Sequence, residues 1–269
     1  MSLISAPALA AKLFAPNLKI LDARFSLADA ALGRNEYLHS HVRGAQYMDL
    51  NADLSGPKTD ARLGRHPLPS PAHWQTVLER LGIRPEHEVV IYDQADGAMA
   101  AARAWFLFVL AGHENVTVLN GGMNVWLALD LPTGSVIAEP EFSHYPVHFR
   151  MQRLIAEAEL KIRIRDPDAL LLDARAPERF RGELEPLDRK AGHIPGAVNR
   201  SYAQNLENGL FKSPDTLRAE FEALADSRKE MLLSCGSGVT ACPNALALSH
   251  AGVDHWRLFA PSWSGWIAE

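Results

Sequence analysis

Leu232-Leu233-Ser234-Cys235-Gly236-Ser237-Gly238-Val239-Thr240-Ala241 is the stretch whose reading decides the fold. An apolar, strand-like run delivers a cysteine into a short glycine-rich loop, and a helical pattern follows at once through Leu246, Leu248 and Ala251. A strand–loop–helix unit of this kind turns successive backbone N–H groups toward the residue that ends the strand. The helix dipole adds partial positive charge at the same end. Both favour the thiolate, the nucleophilic form of cysteine. Gly236 and Gly238 remove Cβ atoms where an anion must approach the backbone closely. The alternative is a buried cysteine that merely ends a core strand; the Gly-Ser-Gly behind Cys235 favours the nucleophile.

The same plan occurs twice along the chain. Leu21-Asp22-Ala23-Arg24 recurs as Leu172-Asp173-Ala174-Arg175, and His41-Val42-Arg43-Gly44-Ala45 as His193-Ile194-Pro195-Gly196-Ala197. Val89–Asp93 recurs as Met231–Cys235, and Gly122–Trp126 as Ser262–Trp266. Each copy alternates short apolar strands with helical patterns: strands at Ile20-Leu21, Val89–Tyr92 and Val116–Leu119, helices at Pro71–Leu81 and Ala98–Ala111. Such alternation predicts an α/β fold, two domains each with a mainly parallel sheet flanked by helices. Ligands of such sheets bind beyond the carboxyl ends of the strands, where Asp93 and Cys235 both stand. The expected division is 1–132, a linker over 133–150 carrying Gly134, Pro140 and Pro146, and 151–269. Because Asp93 stands where the second copy has its cysteine nucleophile, the first copy is expected to be non-catalytic. Asp93 is expected to cap or nearly cap the helix over Ala98–Ala111.

Cys235-Gly236-Ser237-Gly238-Val239-Thr240 resembles the active-site loop of the two-domain rhodanese-like sulfurtransferases, most closely the 3-mercaptopyruvate branch, and the resemblance spans essentially the whole chain. It implies tandem rhodanese-like domains and a cysteine persulfide formed at Cys235, with Gly236, Gly238, Val239 and Thr240 lining the donor site. It implies that Arg179, in Arg179-Phe180-Arg181-Gly182, contacts the donor, with Arg189 or Arg181 as a second donor-binding arginine. An arginine fork suits a carboxylate. It further offers a serine–histidine–aspartate arrangement that maps to Ser237, His66 and Asp49. His66 reads equally as a surface loop histidine, and Asp49 equally as a residue that pins its own loop. Thiosulfate-preferring relatives place basic residues directly after the cysteine; the neutral Gly236-Ser237 points to 3-mercaptopyruvate instead. The chain departs from the pattern at Pro261, Gly265 and Arg200, and the stretch Asn51–Gly64 is longer than the family leads one to expect.

Other features narrow the reading. The 269 residues are 47% hydrophobic, enough for two cores. The net charge of −5, without a basic stripe, argues against a nucleic-acid partner. No apolar run approaches ~18 residues, so no membrane partner is expected. The start reads as an amphipathic helix capped by Ser5 with Pro7 in its first turn, not as a signal peptide. Two cysteines make no disulfide framework, and a reducing, cytoplasmic setting is expected. Cys242 reads as packed, with a Cys235–Cys242 disulfide as the minor alternative. The 11 histidines show no zinc pattern, and no cofactor is expected. His41 and His193 read as structural, and Asp22, Asp173 and Arg175 as residues that tie their loops. The expected partners are a small sulfur donor, 3-mercaptopyruvate or thiosulfate, and a thiol acceptor such as thioredoxin or a small thiol, or cyanide. A phosphatase on the same fold would want Cys-x5-Arg, but position 241 is Ala241 and the next is Cys242. A non-enzymatic binding module would not need Cys235.

Overall fold

The computed structural model describes residues 2–268. The chain divides into two compact units. The first holds the residues up to Gly56 together with Pro69–Arg150; the second holds Pro57–Leu68 together with the residues from Met151 onward.

In the first unit the strands are β1 (Leu3–Ile4), β2 (Leu18–Asp22), β3 (His41–Val42), β4 (Gln46–Tyr47), β5 (Glu88–Tyr92), β6 (Val116–Leu119) and β7 (Thr133–Gly134). The helices are α1 (Ala6–Ala10), α2 (Leu32–His39), α3 (Pro71–Arg80), α4 (Ala100–Leu110) and α5 (Gly122–Ala128). A five-stranded sheet runs in the order β1-β6-β5-β2-β4, with every pair parallel. Val89–Tyr92 is buried on both faces, as a parallel sheet covered by helices requires. On one face Leu9, Ile20, Val90, Leu119, Met123 and Trp126 form a contiguous core. Ser5 caps α1, its Oγ accepting from the Ala8 N–H. The edge strand β1 has no signal in its sequence, because two residues are too few to show a period. The stretch expected as a linker packs on this unit: β7 pairs antiparallel with β3, and the Arg150 N–H donates to the Leu110 carbonyl.

The second unit repeats the scheme with α6 (Glu157–Arg163), β8 (Ala169–Asp173), α7 (Pro177–Arg181), β9 (Val198–Asn199), the hairpin β10 (Leu206–Glu207) and β11 (Leu210–Phe211), α8 (Pro214–Ala225), β12 (Glu230–Ser234), α9 (Cys242–His250), β13 (Trp256–Leu258) and α10 (Ser262–Trp266). Its parallel sheet has the order β13-β12-β8-β9, matching β6-β5-β2-β4. Even the edge recurs: Leu154 makes a parallel bridge to Leu258 where β1 lies in the first unit. Ile155, Leu171, Ile194, Leu232, Phe259 and Trp263 form its core.

The paired motifs have matching structures. Asp22 and Asp173 each close the central strand and grip the arginine two residues on. Arg24 Nη2 lies 2.7 Å from Asp22 Oδ2, and Arg175 Nη2 lies 2.7 Å from Asp173 Oδ2. Each guanidinium also donates to a carbonyl, Ser40 for Arg24 and Gly192 for Arg175. His41 stacks on Tyr37 and His193 on Phe180, each with Nδ1 donating to that residue's carbonyl at 2.7 Å. Both histidines are therefore structural.

At the end of β5, Asp93 fills its own loop. Its carboxylate accepts from the N–H groups of Gly97 (2.9 Å), Met99 (3.1 Å) and Ala101 (2.9 Å). Burial pushes the Asp93 carboxyl above its usual value of 3.8, and the backbone N–H groups oppose the shift.

Two outcomes follow from these buried groups. Arg175→Ala leaves the Asp173 carboxylate buried without its cation and should destabilise the second unit by about 3–5 kcal/mol, read from urea denaturation. A carboxyl with a raised folded pKa contributes stability below its unfolded value of 3.8 and loses it as pH rises through the folded value. The Tm of wild type relative to non-titrating Asp93→Asn should therefore fall as pH is raised from about 4 toward neutrality.

Candidate active site

Cys235 follows β12 directly and is 1% exposed. Its Sγ accepts from the Gly238 N–H at 3.1 Å, and the Ser262 hydroxyl lies 3.8 Å away. Gly238 has φ +77°, and a Cβ there would meet the Ala260 carbonyl oxygen at 2.3 Å, so only glycine brings this N–H to the sulfur. The loop is fixed from the far side by the start of α10. The Trp263 N–H donates to the Cys235 carbonyl and the Ser264 N–H to the Gly236 carbonyl, both at 2.9 Å. Val239 and Thr240 continue the loop into α9; Val239 is buried and Thr240 half-buried. Cys242 is fully buried and its Sγ donates to the Gly238 carbonyl. Neither cysteine is in a disulfide.

Ser262 was visible in the sequence only as the partner of Gly122. Both residues have φ +54°. In the first unit that left-handed backbone is met by glycine; in the second a serine holds it, which costs about 1–3 kcal/mol of strain. Hydrogen bonds offset the strain. Ser262 Oγ accepts from the Cys235 N–H at 3.0 Å and donates to the Phe259 carbonyl at 3.0 Å.

The structure brings Ser237 and His66 together. Ser237 Oγ lies 2.9 Å from His66 Nδ1, and both residues are buried. Pro57–Leu68 belongs to the second unit, so this pair joins residues remote in sequence within one compact body. Asp49, in the first unit, has its carboxylate engaged by its own turn. Oδ1 accepts from the N–H groups of Asn51 and Ala52, both at 2.8 Å, and the Tyr47 hydroxyl donates to Oδ2.

The three arginine candidates separate. Arg179, on α7, comes closest to the cysteine loop: its Nη2 and Nη1 lie 3.4 and 3.6 Å from where a Cβ on Gly236 would stand. Nη2 also donates to Glu185 at 2.7 Å and to Asp188 at 3.3 Å. Arg181 is exposed and pairs with Glu183. Arg189 donates to the Ile267 carbonyl. Sequence reasoning missed Glu185 and Asp188, which hold Arg179, and Arg65, whose Nη2 lies 3.0 Å from the same point over Gly236. Glu185 and Asp188 carry no motif of their own. Arg65 had one usable signal, its place immediately before His66.

The Rhodanese-like domain family matches residues 5–129 and 156–269. The chain is 43% identical over 274 residues to a Pseudomonas aeruginosa protein named "Probable 3-mercaptopyruvate sulfurtransferase", covering 99% of this chain and 95% of that one. It is 34% identical over 260 residues to thiosulfate sulfurtransferase of Bos taurus, covering 94% and 86%. Among solved structures it is similar to 3-mercaptopyruvate sulfurtransferase from Leishmania major, with a TM-score of 0.84, 29% identity, and coverage of 98% of this chain and 73% of that one. The chain belongs to the rhodanese-like family, with one such domain in each half.

Proposed function

We propose that this protein is a sulfurtransferase that takes the thiol sulfur of 3-mercaptopyruvate onto Cys235 as a persulfide and passes that outer, sulfane sulfur to a thiol or to cyanide. The observation that carries the reading is the Cys235 sulfur itself, buried and hydrogen-bonded by the Gly238 N–H, with a guanidinium beside Gly236 and His66 hydrogen-bonded to Ser237 of the cysteine loop.

The chemistry is covalent and two-step. The Cys235 thiolate attacks the donor's thiol sulfur, an S–S bond forms and the donor's C–S bond breaks. The electron pair goes to the donor's methylene carbon as an enolate delocalised over the adjacent carbonyl, and a proton then completes pyruvate. Ser237 and His66 are the groups proposed to supply that proton. A histidine suits the task because its charge changes near neutral pH. Gly236, Gly238, Val239 and Thr240 form the loop that would hold the sulfane sulfur. In the second step the acceptor attacks that outer sulfur and regenerates the thiolate; a small thiol, thioredoxin or cyanide can do so. The cytoplasm is the proposed compartment, a reducing setting in which both cysteines stay as thiols.

Relatives named for thiosulfate keep that donor as the second reading. The two residues directly after Cys235, Gly236 and Ser237, are neutral, which favours a donor with a single carboxylate over a dianion. Arg65 and Arg179 reach the loop from outside it and are shared with Asp188 and Glu185. Among the described residues no helix is long and apolar enough to cross a membrane.

Turnover with 3-mercaptopyruvate and with thiosulfate should favour the former and vanish with both in Cys235→Ser, while mass spectrometry of the wild type after donor treatment shows Cys235 one sulfur heavier. Ser237→Ala and His66→Gln should each lower kcat with 3-mercaptopyruvate by roughly 10²-fold. Preference for thiosulfate would overturn the donor assignment, and absence of turnover with either would overturn the enzyme reading in favour of a binding module.

A further inference from the structure

The segment Pro57–Leu68 is built into the second unit by backbone contact with α10. A short 3-10 turn over Ala61–Leu63 is capped by Asp60, whose Oδ1 accepts from the Arg62 N–H at 2.9 Å. Gly64 follows at φ +83°, and a Cβ there would meet the Pro261 carbonyl oxygen at 2.5 Å. From the other side, a Cβ on Gly265 would lie 2.6 Å from the Arg62 carbonyl oxygen. The Arg65 N–H then donates to Ser264 Oγ at 3.0 Å. Two glycines therefore let one backbone rest on the other, and the next side chain out of this contact is Arg65.

That side chain reaches the nucleophile's loop. The point where a Cβ on Gly236 would stand is 3.0 Å from Arg65 Nη2 and 3.4 Å from Arg179 Nη2, so two guanidiniums share the space over the residue next to Cys235. The Asp188 carboxylate bridges them, Oδ1 to Arg65 Nη1 and Oδ2 to Arg179 Nη2. Donors remain on both forks: Arg179 Nε is buried without an acceptor, and Arg65 Nη2 faces Gly236. Burial holds the Arg65 guanidinium below the usual arginine range, the Cys235 sulfur draws it back up, and Arg179 pushes it down. A cavity of about 420 Å³ is lined by Arg65 together with Lys58, Gly64, Asp188, Arg189 and Ser264.

We infer that Arg65 is a donor-binding residue: with Arg179 it grips the single carboxylate of an anionic sulfur donor beside Cys235, and Asp188 sets the spacing of the two guanidiniums. Arg65, not Arg181 or Arg189, is then the second arginine of the site. The identity of the donor rests on the sulfur-transfer reading above; the grip on a carboxylate does not. Two parallel charge-assisted hydrogen bonds give such a pair both strength and orientation.

The test uses two alkylating agents of nearly equal size, iodoacetate and iodoacetamide, with modification of Cys235 followed by mass spectrometry in the full chain. The ratio of the two rates cancels any change in thiolate fraction and reports the recognition of a carboxylate. Arg65→Gln should lower the iodoacetate-to-iodoacetamide ratio by about tenfold, Arg65→Lys should fall between it and wild type, and KM for 3-mercaptopyruvate should rise with kcat changed less. The Arg65→Gln/Asp188→Asn pair removes the carboxylate oxygen that the single variant leaves without its Arg65 partner, and should show the same loss if Arg65→Gln alone fails to fold. An unchanged ratio in a folded variant overturns the inference. A lowered ratio in a protein that turns over neither donor upholds the carboxylate grip and overturns only the donor assignment.

Discussion

The buried ion pair at the end of the central strand is the constraint on which the rest of this fold is hung. A carboxylate and a guanidinium two residues apart, both taken out of water, are tolerated only when nearly every lone pair and N–H finds a partner. Asp173 meets that condition by accepting from the backbone, Nε and Nη2 of Arg175. Arg175 meets it by also holding the Gly192 carbonyl and Glu185. The requirement then propagates. Glu185 holds Arg179, Arg179 meets Asp188, and Asp188 meets Arg65. A pair whose first task is to fix the turn after β8 thus orients, two and four contacts on, the two cations beside the nucleophile. In the first unit Asp22 instead accepts from the Tyr92 hydroxyl at 2.6 Å. Burial, with Asp22 next, holds that hydroxyl well above its ordinary range. There the network ends in the core.

The two loops at the ends of β5 and β12 show how one backbone plan serves stability in one copy and chemistry in the other. Asp93 satisfies three N–H groups with its own carboxylate and leaves nothing for an outside anion. Cys235 supplies a softer and weaker acceptor, met by Gly238 and approached by Ser262. The change from Gly122 to Ser262 accompanies it: the left-handed backbone is retained and a hydroxyl is gained at the residue that bonds the cysteine N–H. Strain of this kind persists where the surroundings over-determine it, and here the Cys235 and Phe259 contacts do so.

Much of this was legible from residues alone, because local rules suffice for it. The strands Val89–Ile91 and Met231–Leu233 are apolar throughout, the helices after Ser70 and Ser213 carry a serine cap followed by proline, and the repeated motifs showed that both halves follow one plan. Asp93, His41, His193 and Arg175 took the structural roles their neighbours suggested. What the sequence did not disclose depends on contacts between distant segments. Neither β1 nor the Leu154 bridge is long enough to show a pattern. The place of Pro57–Leu68 in the second unit depends on fit between two backbones, which no periodicity records. Of the two arginines offered beside Arg179, Arg181 pairs with Glu183 on the surface, and Arg189 donates to the Ile267 carbonyl and lines the cavity that Arg65 lines.

The departures from the family pattern gain a common cause from that fit. Gly265 stands where an acidic side chain is usual, and a Cβ there would run into both Pro261 and the Arg62 carbonyl. Gly64 closes the stretch that looked too long, and its own Cβ would run into the Pro261 carbonyl. These are complementary losses of bulk on two segments nearly two hundred residues apart in sequence, as the separation of 199 between Arg65 and Ser264 records. Restoring a side chain at either glycine would separate the backbones and withdraw the hydrogen bond from Arg65 to Ser264. The longer loop, the missing acid on α10 and the arginine over Gly236 are therefore parts of one arrangement, in which positive charge absent from the loop after Cys235 is brought to it from outside.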